Sequence, residues 1–467
     1  MSPSSAVDGW RRFGDPRFRT YHYLALAQGV VGVLAGFDVV IPWALAMGCP
    51  PFAAVLLGVL PLAGGMAQLV VPRLLDRTGG NLRGLTILIA AVGEPRGLYL
   101  AALAALYAAG WVSGPVALVI LAVLIGVTSL LSSITNANLL SWHSAVLPDQ
   151  DRRLVVPRLM AVSLAIGALL LLPVAALLDS LVHVVGTYAY ALPFIVSGAL
   201  GLAEIYVLLR LRHPGVVIVP PRDLTAEVEP APELDRFLRS TAINALGMGI
   251  TPALSVLIIS VLGMSAGFSM MVGAVGTLTM VVAAAIYGDR LARGSSSRML
   301  RRSFAIRAAA MTAPLLVLPL PVLAPVFVMA TSMLGAIGFA GGQLAGNERL
   351  FRLSSGPAVV GHYARYLART SGAMTFGQLV GAGVIAVAGP VLPAFAGLYA
   401  ASALIRVVAY RAGAESRPTA DGPLAEGQLA AAVDPPPAQT AGVALAEPVA
   451  QQAAAEPLAS AAVQSVN

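Results

Sequence analysis

Residues 72–83 read Pro72, Arg73, Leu74, Leu75, Asp76, Arg77, Thr78, Gly79, Gly80, Asn81, Leu82, Arg83, and they lie between two long apolar runs. Arg73, Asp76, Arg77 and Arg83 cannot sit unpartnered in hydrocarbon, where one Asp or Arg at the centre of an inserting helix costs about 2.5–3.5 kcal/mol. The stretch is therefore expected to be a loop at a membrane surface. Gly79 and Gly80 supply the backbone freedom for a tight turn between two spanning helices.

Composition agrees. The chain of 467 residues is 58% hydrophobic and 11% charged, with a mean hydropathy of +0.82, outside the range of water-soluble globular chains. All 29 basic residues are Arg. They are spread over short loops, which points to anionic lipid headgroups as partner and away from nucleic acid. The single Cys49 excludes an internal disulfide and a cysteine metal cluster. No Walker loop and no His-Glu-x-x-His spacing is present, so neither an ATP-driven pump nor an enzyme is expected, and no cofactor.

Apolar windows of spanning length predict helices over 21–47, 52–71, 85–109, 116–140, 156–178 and 188–209, then 241–262, 268–287, 304–320, 322–345, 371–388 and 391–410. The first run is too long for a cleaved signal and carries Asp38, so it is read as a spanning helix. The fold class expected is an all-α polytopic membrane protein of twelve transmembrane helices in two six-helix pseudo-repeats. An N-terminal segment (1–20) precedes the first bundle (21–211). A Pro-rich acidic linker (212–239) leads to the second bundle (240–411), and a tail poor in large apolar residues (412–467) is expected to be disordered. Arg residues fill the even-numbered loops, whereas the turns near Cys49, Trp111, His183, Met264, Pro321 and Pro390 have none. By the positive-inside rule both termini are cytoplasmic.

The two halves echo each other. Asp76-Arg77 has a counterpart in Asp289-Arg290, and Arg158-Leu159-Met160-Ala161 one in Arg365-Tyr366-Leu367-Ala368, at corresponding places. On these residues the chain resembles the major facilitator superfamily. That family's loop pattern, Gly-x-x-x-Asp-Arg-x-Gly followed by basic residues, is met by Asp76, Arg77 and Gly79; Pro72 replaces the first Gly, and Gly80 and Asn81 the basic pair. The resemblance covers about residues 21–411. It implies alternating access, helices 1, 4, 7 and 10 around a central cavity, and a cytoplasmic latch at Asp76, Arg77, Gly79, Asp289 and Arg290.

Ionisable residues inside the predicted spans are the next signal. Asp38, on a cavity helix by that resemblance, is the best placed for ion coupling or substrate charge. Glu94 and Arg96 are two apart, about 200° around a helix, so they face different neighbours. Pro95 between them predicts a kink. Either a polar network with helix 2 or 4 or a coupling site accounts for the pair. Glu204 lies nearer a helix end.

Asn136 and Asn138 with Ser132, Ser133 and Thr135, and Gln343 with Asn347, form two polar clusters on symmetry-related helices. Gln28, Trp43, Gln68, Asn244 and Gln378 are further lining candidates. Each can bind substrate or hydrogen-bond a neighbouring helix.

The function expected is a secondary transporter in the cell membrane, monomeric, moving a small organic solute, with proton-coupled export as the preferred form. The other reading is a non-transporting assembly or cofactor-delivery factor on the same fold.

Overall fold

A computed structural model describes residues 19–77, 82–146, 149–210, 232–251, 254–293, 296–353 and 358–414, which belong to one compact unit ending at Arg417. Among them there are helices and turns and no strand. That is what hydrocarbon demands, since every backbone N–H and C=O must find a partner within its own segment.

The first half comprises α1 (Arg19–Leu34), α2 (Phe37–Ala46), α3 (Pro51–Met66), α4 (Val71–Arg77), α5 (Leu82–Gly93), α6 (Arg96–Ala108), α7 (Gly114–Val146), α8 (Asp149–Val185) and α9 (Ala191–Arg210). The second comprises α10 (Pro232–Ile250), α11 (Leu254–Val256), α12 (Ala266–Arg293), α13 (Ser296–Ala310), α14 (Ala324–Leu353), α15 (Ala358–Ala388) and α16 (Leu392–Ala414). Among the described residues ten stretches are long and apolar enough to span a membrane.

The difference from twelve has a physical origin. One stretch, Ala161–Arg210, is 50 residues long, which as a straight helix would be about 75 Å. It is instead two legs, α8 and α9, joined by a 3₁₀ turn at Gly186–Tyr190. The leg expected at 304–320 is α13 plus a 3₁₀ turn at Ala313–Val317, interrupted before Pro314 and rich in Arg.

Turns at the Arg-free end close on glycine. Gly48 (φ 85°) donates its N–H to Leu45 O and Cys49 to Ala44 O, both at 3.0 Å. Gly110 (φ 74°) and Trp111 repeat the pattern on Tyr107 O and Leu106 O. This paired bonding satisfies the last carbonyls of each helix, and the left-handed residue in it is most often Gly. Pro51 then starts α3 at a position whose N–H is unbonded in any case.

At the opposite end the opening stretch is mostly not a loop. After a 3₁₀ turn at Ala67–Val70 the chain resumes as α4, so Arg73, Asp76 and Arg77 ride on helix. Residues 78–81 lie outside the described residues. In the same way α10 begins at Pro232, inside the span read as linker, with Asp235 in its first turn bonded to Arg239 (2.6 Å) and Arg369 (3.1 Å). Of the linker the residues up to 231 are outside the described set, as are 1–18 and the tail from 415.

Several legs break within the membrane. The first breaks at Ala35–Gly36, where a Cβ on Gly36 would stand 2.5 Å from Gly32 O. The third breaks at Glu94–Pro95, as Pro95 predicts. The seventh ends at Ile250, one turn before α11 and the π turn Leu257–Val261.

Leucines and valines such as Leu88, Val123, Leu177, Val282, Val326 and Leu404 are exposed along the legs, the surface a lipid environment covers. Inside, small residues let backbones touch. A Cβ on Gly97 of α6 would meet Gly198 N of α9 at 2.3 Å.

Candidate functional site

The two halves meet on glycines. Gly58 and Gly65 of α3 lie against Gln378 and Ser371 of α15, and Gly267 and Gly273 of α12 against Asp179 of α8 and Asp38 of α2. The Gly267 N–H donates to Asp179 Oδ1 at 3.1 Å, joining the halves at the Arg-free end. A Cβ on Gly273 would fall 2.5 Å from the Asp38 carboxyl carbon. Asp38 is thus seated between the halves because a residue without a side chain faces it.

Within the first half a cavity of 220 Å³ opens at the broken first leg. Gly32, Ala35, Gly36, Phe37 and Val40 line it with Pro61, Arg96, Leu100, Ile125, Thr128 and Ser129. Arg96 reaches it from the third leg, although the family resemblance makes that leg peripheral. Its Nη2 donates to Val31 O (3.2 Å), which also accepts Ser197 Oγ at 3.4 Å. Glu94 is buried, in the field of Arg96 and facing Ser132 of α7. Arg96 therefore joins the first and third legs, with the buried Glu94 close by. Asp38 does not line this cavity.

The remaining expected residues scatter. Arg77 and Arg290 are exposed at the Arg-bearing end; Gly79 and the side chains of Asp76 and Asp289 lie outside the described set. The side chains of Gln28, Asn136, Asn138, Trp142 and His143 are likewise outside it, while Gln343 and Asn347 of α14 are half-buried. Trp43 is a core residue, fully buried with its ring 5.2 Å from that of Phe194 and edge-on at 62°. Cys49 is also buried.

Two residues escaped the sequence reading. Arg307 of α13 and Arg406 of α16 are buried, at 5% and 4% exposure. Arg406 donates to Arg307 O (3.1 Å) and Gly247 O (3.4 Å). Arg307 donates to Phe339 O (3.1 Å) and, through Nη1, to Met248 Sδ at 2.9 Å. Both fall inside predicted spans, so the signal was present.

Among the described residues no group of His, Cys, Asp or Glu is arranged to hold a metal ion. No protein-family model matches the sequence, and no curated protein matches it. Solved structures do match in shape. A POT family transporter in complex with 5-aminolevulinic acid has a TM-score of 0.60 at 11% identity, covering 86% of this chain and 97% of that one. A bacterial homologue of the iron transporter ferroportin, in an inward-facing state, has 0.58 at 15%, covering 86% and 99%. The fucose:proton symporter of E. coli has 0.56 at 10%, covering 85% and 98%. The chain has a major-facilitator-type fold.

Proposed function

We propose that this chain is a secondary transporter of the cell membrane that moves a small organic solute by alternating access, with both termini cytoplasmic and outward movement coupled to protons. The observation that carries the reading is the interface itself. Two helical halves touch along Gly58, Gly65, Gly267 and Gly273, with a carboxyl at Asp38 held between them. Glycine faces allow one half to rock on the other without unpacking side chains. Support also comes from fold relatives whose descriptions are those of transporters.

In this reading Asp38 is the coupling group. A carboxyl enclosed between the halves in one state and hydrated in the other links its protonation to closure at the Arg-free end, and linkage acts in both directions. Asp76, Arg77 and Gly79, with Asp289 and Arg290, form the latch at the cytoplasmic rim, made in one state and released in the other. Glu94 with Arg96 fixes the broken first leg beside the cavity. The half-buried Gln343 and Asn347 of the tenth leg line the route, and Asn136 and Asn138 of the fourth remain candidates for solute contact on sequence grounds. The chain works as a monomer surrounded by lipid.

Reconstitution into proteoliposomes tests this, with labelled solutes assayed with and without an imposed pH gradient. Gradient-driven flux that is lost in Asp38→Asn supports it. Absence of flux for every solute class favours the assembly or delivery role instead. Topology is tested with a cysteine placed at the exposed Trp111, in a background lacking the buried Cys49. It should label from outside, whereas one at Arg222 should label only from inside.

A further inference from the structure

Arg307 and Arg406 carry two charges into the interior of the second half. No carboxylate is ion-paired with either among the described residues. Their acceptors are three backbone carbonyls and one thioether, and the Nε atom of each is buried without an acceptor. Buried cations are held by a paired charge, because removal from water is costly and neutral acceptors recover only part of it.

The geometry locates the missing anion. Arg406 spends both terminal nitrogens on the carbonyls of Arg307 and Gly247, so its role is to hold α13 and α10 together. Arg307 is different, because its Nη1 points at Met248 Sδ. Asn244 Nδ2, one turn earlier on α10, points at the same sulfur from 3.7 Å. Two donors thus converge on the weakest acceptor among the side chains, at the end of an unbranched chain that swings easily. Gly338 and Gly342 of α14 make the room. A Cβ at either would come within 2.7 Å of the Arg307 side chain. A charged oxygen in place of that sulfur would make a much stronger bond to the guanidinium.

We propose that Arg307 and Asn244 form the binding point for the carboxylate of a small organic anion, and that Met248 occupies it in this conformation. This rests on the transporter reading and names its substrate class. The seventh leg, which supplies Asn244 and Met248, breaks just beyond this point, at Ile250. Carboxylate binding there acts on a segment already built to bend.

The test uses the full-length purified chain and thermal unfolding at matched ionic strength. Benzoate, lactate and indole-3-acetate are compared with their amides and with inorganic phosphate. At least one carboxylate should stabilise while its amide does not. Arg307→Gln should weaken that carboxylate about tenfold or more, the range expected for a lost charged hydrogen bond. Met248→Ala, which leaves both donors in place, should tighten it. The inference is overturned if no carboxylate stabilises the protein, if amides or phosphate do so equally, or if Met248→Ala and Arg307→Gln leave the response unchanged. Flux of neutral solutes in proteoliposomes without any carboxylate response would sink the anion site and keep the transporter. Carboxylate binding that depends on Arg307 without any flux would keep the site and sink the transporter.

Discussion

The two halves solve one structural problem in the same way and then diverge in charge. In the first, Val31 O sits one turn before the break at Gly36 and accepts an arginine from the third leg and Ser197 from the sixth. In the second, Gly247 O sits one turn before the end of α10 and accepts Arg406 and Ser402 from the twelfth leg, and Thr251 Oγ1 as well. A serine and an arginine thus pin the carbonyl beside each broken leg. The charge around the pins differs. Arg96 has Glu94 in its neighbourhood, whereas among the described residues no carboxylate is ion-paired with Arg307 or Arg406. The serines come from corresponding legs, the sixth and the twelfth, whereas the arginine comes from the third leg in one half and from the twelfth in the other. The difference teaches that one half places a carboxyl near its arginine, whereas the second half, on our proposal, keeps its positive charge for a ligand.

The sharpest way to break this comparison is to remove each arginine. Arg96→Met removes the charge nearest the buried Glu94 and the donor to Val31 O, and should destabilise the protein by about 1–3 kcal/mol. Arg307→Met removes a charge that is ion-paired with no carboxylate among the described residues and should cost no more than about 1 kcal/mol without a ligand, or stabilise. Denaturant titration of the two variants in the same detergent decides it. Equal losses would mean that the halves do not differ in charge compensation.

A second set of substitutions probes the backbone contacts. Gly97→Ala and Gly249→Ala place a Cβ 2.3 Å from Gly198 N and 2.0 Å from Met374 O, so each should lose about 1–3 kcal/mol. Gly32→Ala has no atom within 4 Å of the new Cβ and serves as the control, with unchanged melting. If the control melts as early as the other two, crowding is not the cause.

The pins themselves should show the smallest change. Ser402 Oγ donates to Gly247 O at 2.6 Å and Ser197 Oγ to Val31 O at 3.4 Å. Ser402→Ala should therefore cost about 1 kcal/mol and Ser197→Ala less, typical of single hydrogen bonds of unequal quality. The reverse order in thermal unfolding would show that the serine on Gly247 is incidental.

Most legs were legible because hydrophobic length is a local property. The kink at Glu94–Pro95 was legible for the same reason, since Pro95 carries its own constraint. The break at Gly36 was not. It lies in an unbroken apolar run and depends on how α1 and α2 cross their neighbours. The helical continuation through Arg73 and Arg77 was also missed, because charge marks the membrane surface and not the end of a helix.

Within the site, Asp38, Glu94 and Arg96 could be found as charges in apolar runs. Their neighbours could not: Gly273 opposite Asp38 and Val31 under Arg96 come from other legs. Arg307 needed the packing of α14, whose Gly338 and Gly342 admit it, before its burial could be seen.

Alternating access requires the two ends to open in turn, and spin-label distances in proteoliposomes test that most directly. In a Cys49→Ala background, labels at Val184 and Ser265 report the end where Gly267 meets Asp179, and labels at Arg77 and Arg290 report the other; all four positions are exposed. The account predicts two distances at each end, the long one at one end rising as the long one at the other falls, with Asp38→Asn shifting the balance. A single distance at both ends, unmoved by pH, by carboxylate or by Asp38→Asn, would contradict it.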